Sequence, residues 1–400
     1  MEMTNNHNRN YHVEIDFQQK HPDGEIACGD VFKSRVIKKE GRTILVLSDG
    51  IGHGIKANVL AILTTTMALN YSTFHTKPEI AAKIIMRALP KSSDGKENYA
   101  TFTIIEIEKE GNVRIINYDN PPVVIIRNGQ PFKTKEYILE VRGEENTGKV
   151  LRCREFVARK EDRMVFFTDG ITQSGLGSSR YPMGWGQARL TEFAIGQIKR
   201  QSKIAASKLS RKILNQAYQN DHFSLIDDSS CGVIYFREPR NFMLITGPPF
   251  YKVKDPAVVN QIKDFKGKKA ICGGTTAEIV ARELDLSLKS IHDFQDATHP
   301  PKAELDGFEI VTEGLLTISK TEEILENYTS ETRLGDSPAD EIVRLLLDHD
   351  IIYIIAGTRI NWAHMDPDQP IDLEIRKVVV KRLINLLEKK FFKEIRADFV

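Results

Sequence analysis

Two apolar runs in this 400-residue chain end in the same kind of tetrad. Ile44-Leu45-Val46-Leu47 leads into Ser48-Asp49-Gly50-Ile51, and Val165-Phe166-Phe167 leads into Thr168-Asp169-Gly170-Ile171. A third acidic group, Asp227-Asp228, precedes the run Val233-Ile234-Tyr235-Phe236, and a fourth acid, Asp30, follows Cys28-Gly29. Any one Asp-Gly pair reads as an ordinary turn. Their joint placement at strand ends carries more. Carboxylates gathered at the rim of an apolar core repel one another and lose hydration, so they require a cation or large pKa shifts. An oxygen-only donor set without histidine or cysteine selects hard ions, Mg²⁺ or Mn²⁺. A glycine after Asp49 also lets a backbone carbonyl approach such an ion.

Strands and helices must bring these acids together. β-rich runs occur at Thr43–Leu47, Thr101–Ile107, Val113–Asn117, Val123–Ile126, Met164–Phe167 and Cys231–Phe236. Helical stretches lie at Ile55–Asn70, Pro78–Leu89, Arg189–Gln201 and Lys203–Tyr218. Strands in groups with helices in pairs predict a layered α+β sandwich, not a regularly alternating parallel sheet. Prolines 239, 248, 249 and 256 punctuate a short apolar run, Phe242–Thr246, which sets a domain boundary near Glu238. Beyond it, strands at Lys269–Cys272, Phe308–Thr312 and Ile351–Ala356 alternate with helices at Thr275–Leu284 and Ala339–Leu347, as in a separate α/β domain. A last amphipathic helix is expected from Leu373 to Phe399, docked on a sheet or serving as a homodimer seam.

Composition narrows the function classes. Lys plus Arg number 56 against 55 Asp plus Glu, a formal charge of +1, so no global field favours nucleic acid or an acidic membrane. A hydrophobic fraction of 41% is too high for a disordered chain. No apolar run approaches the ~20 residues of a membrane span, and the N-terminus is polar; a cytoplasmic protein is the expectation. The cysteines, Cys28, Cys153, Cys231 and Cys272, lack zinc spacing and read as isolated reduced thiols.

Residues 26 to 236 resemble the PPM-type metal-dependent serine/threonine protein phosphatases, specifically the stage II sporulation protein E (SpoIIE-like) branch. The matching motifs are Cys28-Gly29-Asp30, Ser48-Asp49-Gly50-Ile51-Gly52-His53-Gly54, Thr168-Asp169-Gly170 and Asp227-Asp228-Ser229-Ser230. A weaker match is Asn117-Tyr118-Asp119-Asn120-Pro121-Pro122, where relatives often carry Asn-Ala-Gly-His-Pro-Pro and where Asp119 reads as a turn residue. The resemblance implies a β-sandwich flanked by helix pairs with two Mn²⁺ or Mg²⁺ ions at one edge. It implies Asp49 as the ligand bridging both ions, the Gly50 carbonyl as a further ligand, Asp30 on one ion and Asp169 and Asp227 on the other. Asp228 falls where relatives have Asn or Asp and reads as a support for the ligands. The implied reaction is hydrolysis of phosphoserine or phosphothreonine on a protein by a water bridging the two ions. In this branch the substrates are often small phosphorylated transcription regulators.

Two departures stand out. Ile51 occupies the position where the wider family often has histidine, and His53 reads as a shaper of the glycine loop. No arginine matches a phosphate clamp; Arg35 reads as a solvated charge. In the resembling branch the two helices after Gly54 act as a regulatory element. Packing alone explains them equally well. The rival readings are a non-catalytic signalling module with the same fold and a hydrolase of small phosphate esters.

In residues 239 to 400 no family motif is recognised, and sensing, substrate recruitment and dimerisation all stay open as roles. Ile271-Cys272-Gly273-Gly274-Thr275-Thr276 stands between a strand and a helix, a position where Gly273–Thr276 can cradle an anion or nucleotide, or form no more than a capped turn. It lacks the P-loop lysine. His292, Asp296 and His299 share a proline-containing loop and read as loop residues before metal ligands.

Overall fold

The computed structural model describes residues 11–37, 39–52, 54–88, 100–141, 150–291, 302–329, 332–358, 372–391 and 393–400. His53 and the loop with His292, Asp296 and His299 lie outside them. The chain divides into two compact units, Met1–Glu238 and Pro239–Val400.

The first unit is a four-layer α+β sandwich. One sheet orders its strands β2 (Asp30–Ile37), β3 (Arg42–Gly50), β4 (Ala100–Ile107), β5 (Asn112–Tyr118), β9 (Val150–Val157) and β8 (Glu136–Glu140). The other runs β1 (His12–Lys20), β11 (Ser229–Arg237), β10 (Arg163–Phe167), β6 (Val124–Arg127) and β7 (Gln130–Pro131). Alternation along each strand builds three cores at once. In β3, Leu45 and Leu47 face the opposite sheet, where they meet Met164, Phe166, Ile234 and Phe236. Ile44 and Val46 face outward, against Ala68 and Leu69 of α1 (Gly54–Thr73) and Ala82 and Ile85 of α2 (Pro78–Ala88). In β10, Val165 and Phe167 turn outward to α4 (Gly186–Arg200) and α5 (Ala206–Asn220), meeting Leu190, Leu209 and Ile213. Each of these large apolar side chains contributes roughly 1.5–3 kcal/mol on burial, so the strand faces determine which helix pair covers which sheet.

The second unit is a three-layer α/β fold. Five parallel strands run in the order β16 (Ile310–Thr312), β13 (Lys268–Cys272), β12 (Asn241–Thr246), β17 (Ile351–Ala356) and β18 (Glu394–Phe399). The short β15 (Lys302–Glu304) and β14 (Lys289–Ile291) add an antiparallel edge. α6 (Asp255–Asp264) and α7 (Gly274–Leu284) cover one face through Val258, Ile262, Ala277 and Val280. α8 (Leu315–Glu326), α9 (Pro338–Asp348) and α10 (Asp372–Lys389) cover the other through Ile318, Ile342, Leu346 and Leu383.

The short apolar run Phe242–Thr246 falls on β12, the middle of the five parallel strands, and Pro256 is in the first turn of α6, where its missing N–H costs nothing. One expectation needs correction. The final helix does not reach Phe399: it stops at Lys389, and Glu394–Phe399 pairs parallel with β17. That strand is an exposed edge with only Ile395 packed toward the core, so it shows no period-2 apolar signal.

Candidate metal centre

The sheet registers bring the acids together. Asp30 opens β2 and is the direct cross-strand partner of Asp49 near the end of β3, while Asp49 in turn faces Thr101 on β4. In the other sheet, β10 ends beside the start of β11, and the Thr168 amide donates to the Ser230 carbonyl at 3.1 Å. This places Asp169, first residue of α3 (Asp169–Gln173), next to Asp227 and Asp228. Two side-chain hydrogen bonds then join the sheets at this edge. Thr168 Oγ1 donates to Asp30 Oδ2 at 2.8 Å, and the Gly29 amide donates to Asp228 Oδ2 at 2.8 Å.

Asp49, Gly50, Thr101, Asp169 and Asp227 line a single cavity of about 270 Å³. Asp30 and Asp228 stand deeper, almost fully buried. Gln173 Nε2 donates to Asp169 Oδ2 at 2.7 Å, and the Asp228 amide donates to Asp227 Oδ1 at 2.8 Å, which orients both carboxylates. Among the described residues no three acidic, histidine or cysteine side chains form a ready-made metal cage. The carboxylates are neighbours that repel.

The electrostatics fit a cation nonetheless. Burial, then the charges of Asp169, Asp227 and Asp228, push the Asp49 carboxyl up to about 7. Burial, then Asp49, also raises Asp30, with the hydroxyls of Ser230 and Thr168 pulling the other way. Oδ1 of Asp30 and Oδ1 of Asp228 are buried with no hydrogen-bond partner, a costly state for a carboxylate unless positive charge accompanies it. The donor set, carboxylate oxygens and one backbone carbonyl, suits Mg²⁺ or Mn²⁺.

A pH dependence follows. A carboxyl whose folded-state pKa lies above its unfolded value binds more protons in the native state, so stability is greatest below the unfolded pKa and is lost as pH rises through the folded one. For Asp49 that window runs from 3.8 to about 7, and Asp30 acts in the same direction. In EDTA the contribution of this cluster to the melting temperature should fall across that window, and saturating Mn²⁺ should remove the fall. The difference between wild type and Asp49→Asn, followed by calorimetry, isolates the effect; equal slopes for the two proteins would rule it out.

Residues 39–237 match the family model of stage II sporulation protein E (SpoIIE). The first unit is a SpoIIE domain of the PPM type. Among solved structures, the PP2C phosphatase domain and regulatory fragment of SpoIIE from Bacillus subtilis is 16% identical, covering 57% of this chain and 64% of that one, with a TM-score of 0.46. The chain thus spans less than two thirds of that protein's solved length. The RsbU and RsbW domains of a Mycobacterium tuberculosis protein are 18% identical over 63% of this chain and 67% of that one, TM-score 0.46. The SiaA-PP2C domain of Pseudomonas aeruginosa is 12% identical over 56% and 85%, TM-score 0.42. No curated protein matches the chain.

Within the SpoIIE domain, Asp119 adopts a left-handed turn conformation (φ 57°) and takes no place in the cavity. Ile51 does line the cavity, in the position where a histidine is common in the wider family. Arg35 reaches away from the acids, its Nη1 donating to Thr73 Oγ1 at 3.0 Å and tying β2 to α1. Three supporting residues escaped sequence reasoning. Thr168 holds Asp30, and Thr101 lines the cavity while donating to Asn120 Oδ1 at 2.5 Å. Asn120 donates in turn to Thr103 Oγ1 at 3.1 Å and to the Leu47 carbonyl at 3.4 Å, bracing the strand that carries Asp49. A threonine directly before Asp-Gly was a visible signal for the first. Asn120 stands in the weaker motif match Asn117–Pro122, at the position where relatives often carry histidine; nothing local marked Thr101.

Among the described residues no helix is long and apolar enough to cross a membrane. The four cysteines are buried and unpaired by disulfides.

Proposed function

We propose that the SpoIIE domain hydrolyses phosphoserine or phosphothreonine esters on a protein substrate with the help of two divalent ions, Mn²⁺ or Mg²⁺. One observation carries this reading: mutually repelling carboxylates, Asp30 and Asp228 buried and Asp49, Asp169 and Asp227 half-buried, meet at one edge of the sandwich, beside an open cavity. Asp49, the Gly50 carbonyl, Asp169 and Asp227 would hold metal toward the cavity, with Asp30 behind Asp49. Asp228, pinned by the Gly29 amide, supports them. Bound ions would neutralise phosphoryl charge and bring the pKa of an attacking water near neutrality.

The protein's own groups supply position. Thr168 and Asn120 immobilise the strand ends, and Gln173 fixes the Asp169 carboxylate. The carboxylates act by holding charge and need not become nucleophiles. With Ile51 at the cavity wall, protonation of the leaving oxygen falls to solvent in the site and not to a histidine at that position. The cavity is open to solvent and lined mainly by polar groups, which suits a phosphorylated side chain on an exposed segment better than an enclosed small metabolite.

The test is phosphate release from phosphoserine peptides, phosphothreonine peptides and p-nitrophenyl phosphate under EDTA, Mg²⁺ and Mn²⁺. Metal-dependent turnover of the peptides supports the reading. Turnover of small esters alone favours a small-phosphate hydrolase, and no turnover with measured metal binding favours a signalling module without catalysis.

A further inference from the structure

The second unit ends its neighbouring parallel strands on glycine. Gly247 follows β12, Gly273 follows β13, Gly357 follows β17, and Gly314 comes two residues after β16. β12, the first strand of the unit, lies between β13 and β17, so the chain builds outward to one side and then returns to build on the other. In open parallel sheets such a reversal leaves a crevice outside the C-terminal strand ends, the usual place for a ligand. That analogy locates a place; the side chains there decide what it holds.

Thr246, Thr276 and Thr317 are 0%, 4% and 2% exposed, and the Oγ1 of each has no hydrogen-bond partner. A threonine inside a helix ordinarily bonds back to the carbonyl four residues earlier, as Thr321 does to Thr317 at 2.8 Å. Thr276 and Thr317 do not. Each is the third residue of its helix, α7 or α8, among the amides that a helix start leaves without intrahelical partners. Glycines bring these groups together: a Cβ on Gly273 would lie 3.2 Å from Thr276 Oγ1 and 3.8 Å from the Gly247 nitrogen, and one on Gly314, just before α8, 3.5 Å from the Gly273 Cα. A cation borders the same edge, since Arg376 Nη1 lies 2.7 Å from where a Gly247 Cβ would be.

Hydroxyls, helix-start amides and a guanidinium are all donors, and their convergence fits an oxyanion. One acceptor breaks the pattern. Glu313 Oε2 is buried without a partner, and Glu313 directly follows Thr312, the register partner of Cys272 at the end of β13. A bare anion would leave this carboxylate unanswered, whereas a ligand carrying both phosphate and sugar hydroxyls would satisfy both ends. We propose that the C-terminal edge of the second unit's sheet binds a nucleotide, its phosphate on the start of α7 with Thr246 and Thr276, its ribose hydroxyls donating to Glu313. With no P-loop lysine in Gly273–Thr276, the site binds without the usual apparatus for phosphate cleavage. The inference is independent of phosphatase activity in the first unit.

The test uses the full chain in EDTA, so that divalent ions cannot recruit phosphates to the SpoIIE carboxylates. ATP, ADP, AMP, GTP, adenosine and inorganic phosphate are titrated by calorimetry and thermal shift. At least one nucleotide is expected to bind saturably, more tightly than phosphate or adenosine. Thr276→Val should weaken it about tenfold or more by removing a hydrogen bond to a charged group, and it should not lower the melting temperature of the ligand-free protein. Glu313→Gln should weaken the nucleotide but not phosphate. Thr246→Val repeats the test if Thr276→Val does not fold. Absence of nucleotide binding, equal affinity in the threonine variants, or phosphate binding as tightly as every nucleotide overturns the proposal.

Discussion

Asp49→Asn and Asp169→Asn are each expected to lower divalent-ion-dependent phosphate release by about a thousandfold or more, while raising the melting temperature of the metal-free protein. The two effects have one cause. Asp49 sits among like charges that push its carboxyl up to about 7, and the neutral amide of the same shape relieves that repulsion. Losing the same charge removes a ligand from the proposed ions; a thousandfold loss corresponds to about 4 kcal/mol of transition-state stabilisation. Kinetics with phosphoserine peptides, paired with melting curves in EDTA and in Mn²⁺, check both halves. In the variants the Mn²⁺-induced rise in melting temperature should shrink along with activity. A variant that loses activity because it folds poorly would show the opposite change in EDTA, and unchanged rates would sink the mechanism.

Gly50→Ala should be the most damaging conservative change in the domain. A Cβ there would lie 2.0 Å from the Ala57 carbonyl oxygen and 2.6 Å from its carbon. Both atoms belong to the backbone of α1, so no rotamer change can relieve the overlap. Either the end of β3 moves away from its pairing with Ala100, or α1 lifts from the sheet. Overpacking of this kind costs about 3 kcal/mol, a fall of roughly 9 °C in melting temperature for a domain of this size. Because Gly50 adjoins Asp49 and lines the cavity, activity should fall by about a hundredfold even below the melting range, since a misplacement of about 1 Å can cost that much. Gly52→Ala is the control for crowding, since nothing lies within 4 Å of a Cβ there, although its φ of 92° still imposes strain. If the two variants melted alike and retained equal activity, close packing of α1 on Gly50 would have no bearing on the site. The same contact explains how a displacement of α1 would reach a proposed metal ligand, the physical content of a regulatory role for this helix.

Much of the site was legible because its signals are local. An apolar strand that stops at Asp-Gly declares both its end and its acid, and it does so twice, at Asp49 and Asp169. The helices of the first unit were also readable: α2, α4 and α5 carry an apolar stripe toward their sheet, while α1 is apolar on its exposed side as well, at Ile55, Val59, Ile62 and Leu63. The edge elements were not. β18 packs little more than Ile395, and its place comes from hydrogen bonds to β17, which no periodicity records. Phe242–Thr246 was visible as a short apolar run between prolines, but its place in the middle of five parallel strands comes from its pairing with β13 and β17.

By itself the sequence determined which residues are acids at strand ends, which faces of each strand are apolar, and hence a sandwich with helices outside. Residue type and short spacing carry that information directly. Tertiary structure alone decided that Asp30 stands opposite Asp49, that Thr168 and the Gly29 amide tie the two sheets at that edge, and that Asn120 braces the strand behind them. It likewise gathered Thr246, Thr276, Thr317 and Glu313 at one end of a second sheet. The reason is common to both places: a hydrogen bond between residues 138 or 199 positions apart depends on strand register and sheet packing, which arise from the whole core and leave no mark in any short window of the chain.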